Sequence, residues 1–209
     1  MDQDQKSNKI DPNLIIAIGV LIASFAALFV YMRQASIMSK QTEILLEQTK
    51  ASAWPHLTIE LYKGYSTDGL RTYKYVISNK GTGPAIIEKT IITYDDQAIQ
   101  SWGEFYKVLQ VPDSLGISHS NDNIHQRVLA SNEKLELIDW SNHPNSSART
   151  NLMEYIFKRA DKIGIEICYA SIHGDKWRVK RLGFQTDLEE IERKKVDSCG
   201  LDDVKNFRQ

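Results

Sequence analysis

The side chains best suited to chemistry in this chain are few and scattered. Five histidines, His56, His119, His125, His143 and His173, stand far apart, and no His-x-x-x-His or Cys-x-x-Cys spacing sets two ligands on one element. His119 and His125 share a loop with Asp113 and Asp122, but solvated loop histidines are the expectation. No Gly-x-Ser-x-Gly elbow occurs. Cys168 sits between Ile167 and Tyr169 in an alternating run with no base nearby in sequence, so it reads as a structural thiol. Asp95-Asp96 follow a strand pattern and read as turn formers, and Asp202-Asp203 lie in the tail. These patterns predict no catalytic residue, no metal site and no cofactor.

The sharpest polar feature is Lys176, Arg178, Lys180 and Arg181. In a strand, alternate residues share a face, so three of these cations line one face while Trp177 and Val179 take the other. Such a row suits phosphate, an acidic partner or anionic headgroups. The plainer alternative is a solvated sheet face matched by Glu60, Glu88 or Glu166 on neighbouring strands.

Whatever binds here is held at a membrane. Leu14 to Met32 is apolar except for Ser24 and Tyr31, and no charge lies between Asp11 and Arg33. As a helix it is about 28 Å long, close to the hydrocarbon thickness of a bilayer. A cleaved signal peptide is the rival. Its apolar core is shorter and follows positive charge, whereas Met1–Asn13 holds Asp2, Asp4 and Asp11 against Lys6 and Lys9. An uncleaved anchor is therefore expected. Lys6 and Lys9 on one flank face Arg33, Lys40 and Lys50 on the other, which places the short tail outside and the domain in the cytoplasm. Cys168 and Cys199 form no disulfide framework, which fits a reducing compartment, and whether they pair is open. The sequon Asn145-Ser146-Ser147 is discounted as a chance match. Gly19, Ala23 and Ala27 recur every fourth residue and offer one small-residue face for self-association of spans.

From Arg33 to Ser52 there is no Gly or Pro, so the membrane helix is expected to continue as a stalk over residues 33–53. Ile37 and Ile44 lie seven apart, as do Gln34, Gln41 and Gln48, giving an isoleucine position and a glutamine position on one seam; Met38 and Leu45 flank it. Ile37, Gln41, Ile44 and Gln48 are the candidate stalk contacts. Two heptads are short for a coiled coil, and a monomeric stalk is the alternative. Trp54-Pro55 ends the helix, because the residue before proline avoids helical angles.

After Pro55 the apolar period becomes two. Leu57–Leu61, Tyr73–Ile77, Ile87–Tyr94, Leu135–Leu137, Ile163–Tyr169 and Trp177–Val179 each alternate like half-buried strands. His173-Gly174-Asp175 joins the last two as a tight hairpin. These strands predict a mainly-β antiparallel sandwich over residues 54–185, with short helices at Ser101–Gln110 and Thr150–Ala160 covering its ends. A solvated helix is expected at Asp187–Lys195, within a charged C-terminal segment 186–209 whose tail frays beyond Gly200.

Asn79-Lys80-Gly81-Thr82-Gly83-Pro84-Ala85 joins two of the strands. Gly81 and Gly83 are expected to supply positive φ, and Pro84 to set the entry to the next strand. A phosphate loop is disfavoured because no Lys-Ser/Thr follows. The segment resembles the Asn-x-Gly-x-Gly-Pro-Ala turn of many uncharacterised bacterial membrane-anchored proteins. Those proteins place a Gln-rich helix after one N-terminal span, then a Trp-Pro or similar break, then Ig-like strands. Arg33, Gln34, Gln41 and Gln48 match that helix, and Ile167-Cys168-Tyr169-Ala170-Ser171 followed by Gly174 and Trp177 looks similar too. The likeness covers roughly residues 14–95 and 163–180. It implies an Ig-like architecture and no particular activity.

Over 209 residues, 26 Lys and Arg against 27 Asp and Glu give a net charge of −1, which argues against a dedicated nucleic-acid binder. The leading expectation is a non-enzymatic binding module at the lipid bilayer, a scaffold, sensor or adaptor for a protein or small anionic ligand, acting as a homo-oligomer. The alternative is a membrane effector of a bacterial defence or toxin system whose clustered spans disrupt the bilayer. A hydrolase ranks third.

Overall fold

A computed structural model of the chain describes residues 11–65, 71–141, 147–183, 192–200 and 206–208. Lys6, Lys9, His143, Asn145-Ser146 of the sequon, residues 187–191 of the expected helix and Asp202-Asp203 lie outside them. The chain divides into two compact units, Met1–Thr49 and Lys50–Gln209.

The first unit is made by α1, Pro12–Ser52, a single helix of 41 residues and about 60 Å. It starts where proline costs nothing, at the first helical position, and the Asp11 Oδ1 accepts from the Asn13 N–H at 2.9 Å. The Ser24 hydroxyl donates back to the Val20 carbonyl at 2.8 Å, so the one hydroxyl in the middle of the apolar run has its partner inside the helix. Thr42 and Thr49 do the same to Met38 and Leu45. No side chain of α1 is buried, and the helix is long and apolar enough to cross a membrane.

Among the described residues the second unit contains nine strands: β1 Leu57–Tyr65, β2 Arg71–Asn79, β3 Ala85–Tyr94, β4 Gln97–Ile99, β5 Val128–Leu129, β6 Lys134–Asp139, β7 Ile163–Ala170, β8 Lys176–Leu182 and β9 Glu192–Val196. Two short helices, α2 Trp102–Val108 and α3 Ser147–Phe157, sit between them. One sheet runs β1-β2-β6; the other runs β4-β3-β7-β8-β9, with β5 also paired to β3. All the pairings are antiparallel. Alternation explains the core. Leu57, Ile59, Tyr73, Tyr75 and Ile77 point inward from the first sheet, and Ile87, Ile92, Ile165, Ile167 and Val179 from the second. Each buried aliphatic is worth roughly 1.5–3 kcal/mol. The helices close the core with Trp102, Phe105, Leu152 and Ile156. Ser101 caps α2 by accepting from the Glu104 N–H at 3.2 Å. Asp95 and Asp96 take φ of 51° and 63°, so the β3–β4 turn is the mirror-image type that matches strand twist.

Two expectations for the C-terminal segment are overturned. Where it is described, Asp187–Lys195 is strand, not helix: β9 pairs with β8 from Lys180↔Glu192 to Lys176↔Val196. Beyond Gly200, residues 206–208 are not frayed either. Phe207 is buried against Trp102, with ring centroids 4.9 Å apart. The Phe207 N–H donates to the Thr90 carbonyl at 3.0 Å, and the Thr90 N–H donates to the Asn206 Oδ1 at 2.9 Å. One large apolar ring outweighs the polarity of its neighbours.

Candidate functional site

The turn between β2 and β3 is densely hydrogen-bonded. Asn79 is fully buried, yet all its side-chain capacity is used. Its Oδ1 accepts from the Gly81 N–H at 3.0 Å and the His56 N–H at 3.1 Å. Its Nδ2 donates to the carbonyls of Gly83 at 2.8 Å, Leu129 at 3.1 Å and Ala130 at 3.1 Å. The Thr82 and Gly83 N–H groups both donate to the Trp54 carbonyl, at 2.9 and 3.2 Å, and the Lys80 N–H donates to the His56 carbonyl at 2.8 Å. The backbone that follows α1 is thus laid alongside the turn. The expected role of the glycines is corrected here. Neither Gly81 nor Gly83 is among the residues with positive φ. A Cβ on Gly81 would collide with the Trp54 carbonyl and the His56 amide, and one on Gly83 would collide with the Ala53 backbone. These positions need glycine because two chains touch, not because φ is unusual.

The cationic strand face exists, and at Lys176 and Arg178 it takes the matched form, with Glu88 and Glu166 as the partners. Lys176, Arg178 and Lys180 do share a face of β8. The Lys176 Nζ lies 2.7 Å from the Glu88 Oε2, and the Arg178 Nε lies 3.1 Å from the Glu166 Oε1. Lys180 borders a small cleft with Glu166, Arg178, Glu192 and Lys194. The face is an alternation of charges, as cross-strand pairing predicts. Arg181 does not belong to it. It lies on the opposite face, buried, and donates from Nη1 to the Ile59 carbonyl at 2.9 Å.

Arg181 has a companion that sequence reading missed. Arg193 of β9 donates from Nη2 to the Leu57 carbonyl at 3.0 Å, and its Nη1 lies 3.1 Å from the His56 Nδ1. The Tyr169 hydroxyl accepts from the Leu57 N–H at 3.3 Å. Leu57 and Ile59 face the open edge of β1, so side chains of the second sheet stand in for a missing strand there. Arginine only donates, so Nδ1 of His56 accepts and its ring proton sits on Nε2. Burial, then Arg193, then Lys80 hold the His56 pKa below the usual imidazole value. The signal for Arg181 was present as parity: it breaks the alternation of its three neighbours. Arg193 lay inside a run whose charges suited a helix equally well.

Cys168 and Cys199 form a disulfide, which answers the pairing left open by the sequence and gives Cys168 a structural role. Cys168 is on the face of β7 opposite Ile167 and buried. The bond pins the chain beyond β9 to the middle strand of the sheet, on its way to Thr90 of β3.

Among the described residues, no group of three or more His, Cys, Asp or Glu side chains is placed to hold a metal ion. The His119 Nδ1 lies 2.9 Å from the Tyr106 hydroxyl, which also accepts from the Trp140 Nε1 at 2.8 Å, so this histidine anchors a loop to the core. An apolar recess of about 300 Å³ is lined by Tyr65, Arg71, Tyr73, Met153 and Phe157 among others. Arg71 there already pairs with Glu154.

On α1, Gly19, Ala23 and Ala27 form an exposed stripe, and no atom lies within 4 Å of where a Gly19 Cβ would stand. Ile37, Gln41, Ile44 and Gln48 form a second exposed stripe. Because the helix is unbroken, the two can be compared directly. At 3.6 residues per turn their centres fall within about 30° of each other, on one face.

Comparison with family models, curated proteins and solved structures returns no match.

Proposed function

We propose that this chain is a membrane-anchored binding module without enzymatic activity, a scaffold or adaptor that holds a protein partner beside a bacterial inner membrane and works as a homo-oligomer. The observation that carries this reading is how the polar groups are engaged. Asn79, Arg181 and Arg193 bond to the backbone of their own fold, and Lys176 and Arg178 face carboxylates of their own sheet. That favours recognition through surface shape over a reacting group, and a protein over a small anion. The outer half of β1 ends in exposed Tyr62 and Tyr65, side chains enriched at protein interfaces.

The disulfide argues for the opposite orientation to the one expected from flanking charge. Protein disulfides persist where thiols are not kept reduced. Closing this one passes two electrons to the disulfide of a thiol oxidoreductase, which leaves as a dithiol. The flanks oppose this only by Lys6 and Lys9 against Arg33, Lys40 and Lys50, a small bias. The domain therefore stands on the oxidising side.

Spheroplasts test the placement. An impermeant maleimide should label a Ser39→Cys variant from outside, and the native chain should yield thiols only after reduction. Labelling only after lysis would return the domain to the cytoplasm. A photo-crosslinker at Tyr65 should give adducts with another protein; adducts with lipid alone would remove the partner. Depolarisation on overproduction would favour the effector reading instead.

A further inference from the structure

The stripe on α1 has a finer order than two short patches. Ala23, Ala27, Val30, Gln34, Ile37, Gln41, Ile44 and Gln48 follow one another at alternating steps of four and three along the unbroken helix. That is the a/d spacing of a coiled coil over nearly four heptads, against the two that the solvent-side residues alone supply. Ala27, Gln34, Gln41 and Gln48 fall at a; Ala23, Val30, Ile37 and Ile44 fall at d. Met38 and Leu45 fall at e and widen the apolar face. Arg33, Lys40 and Glu47 fall at g, and Glu43 and Lys50 at c, off the seam. Leu46, at f, is the exception.

Exposure sharpens the point. Ile37, Met38, Ile44 and Leu45 are all more than half exposed. They lie past Arg33, beyond the apolar run, where lipid tails do not cover them. A solvated helix gains most of its stability by packing such a face against another element. A 4-3 repeat specifies that element as another helix with the same repeat, since each knob needs a hole formed by four residues of its neighbour.

We propose that α1 forms a parallel, in-register coiled coil with other copies of this chain, three or four in number, and that its seam enters the bilayer through Val30, Ala27 and Ala23. This rests on the reading of the chain as a membrane-held oligomer and names the surface that builds it. A common insertion direction makes the helices parallel. Gln34, Gln41 and Gln48 stack in successive a layers, where polar side chains fix register at some loss of stability. β-branched Ile37 and Ile44 at d, with apolar residues at e, favour more than two strands. Within the bilayer the alanines let the backbones approach, as small residues do between spans.

Site-specific crosslinking of the full chain in native membranes tests this, and it reads α1 whether or not any partner binds the β domain. A cysteine replacing Ile37 or Ile44 should form crosslinks between identical positions, with species up to trimer or tetramer when both carry one. Ser39→Cys, at f on the outer face, should give none. The mass of the detergent-solubilised protein should be three or four chains. Ile44→Lys should reduce it to one while the disulfide and the β-domain circular dichroism persist. Equal crosslinking at Ile37 and Ser39, or a monomeric mass for the native chain, would overturn the proposal. Crosslinks from Ile37 to a different protein would do the same.

Discussion

The Asn79 turn and the β8 charge row are both dense in polar groups, and they are built for opposite surroundings. Asn79 is buried and meets five partners, most of them backbone groups that have no other way to be satisfied. Lys176 and Arg178 are only partly covered and meet carboxylates that are partly exposed too. Density of polar residues in sequence therefore says little about where free energy resides; burial of the partners decides it. A motif that looked like an ordinary turn holds the domain together, and a motif that looked like a binding site is largely self-neutralised.

Breaking the turn should have the largest effect. Asn79→Leu strands several buried amides and carbonyls, each costing about 1–3 kcal/mol, so a loss of about 5 kcal/mol is expected. Gly83→Ala should approach it by forcing the turn away from Ala53. Urea unfolding of the detergent-solubilised chain measures both. A loss under about 1 kcal/mol for Asn79→Leu would erase the contrast. Next comes Phe207→Ala, which empties a core position that belongs to neither site and should cost about 3–4 kcal/mol. If instead it is neutral, the tail is only laid against the surface.

A smaller effect sharpens the comparison through pH. The unfolded chain takes up a proton at His56 near the ordinary imidazole value, and the folded chain resists it. The folded state therefore has its full contribution from His56 above about pH 6.5, and loses it as pH falls toward the lowered folded value. Melting temperature should fall as pH drops from about 7.5 to 5, and His56→Gln should flatten that slope. Glu133, held down by the Ala130 N–H, and Asp175, held down by Lys195, add stability that is fully present above the ordinary carboxylate range and is lost only as pH falls below it. The smallest change belongs to the charge row. Arg178→Gln should alter stability by less than about 1 kcal/mol in the same unfolding assay, because the pair is partly solvated.

Much of the fold was legible because period is a local property. The alternations at Leu57–Leu61, Ile163–Tyr169 and Trp177–Val179 became strands, and the apolar run at Leu14–Met32 became part of one long helix. The site was less legible because its causes are not local. Nothing near Gly81 or Gly83 announces that residues 53–56 will press against them. Charges spaced for a helix at Asp187–Lys195 also suit an edge strand, and pairing with β8 decided between them. The Cys168–Cys199 separation of 31 residues carries no geometry, so their pairing needed the sheet. The 4-3 stripe along α1 was half visible, since its N-terminal portion reads as small residues until the helix is known to be continuous.

The burial of Phe207 has a practical corollary for handling the protein. An affinity tag or fluorescent reporter joined within a residue or two of Phe207 pulls on the hydrophobic interior. A long spacer after Phe207 separates a reporter's own bulk from that anchor. Truncations meant to trim a loose end would instead open a hole beside Trp102.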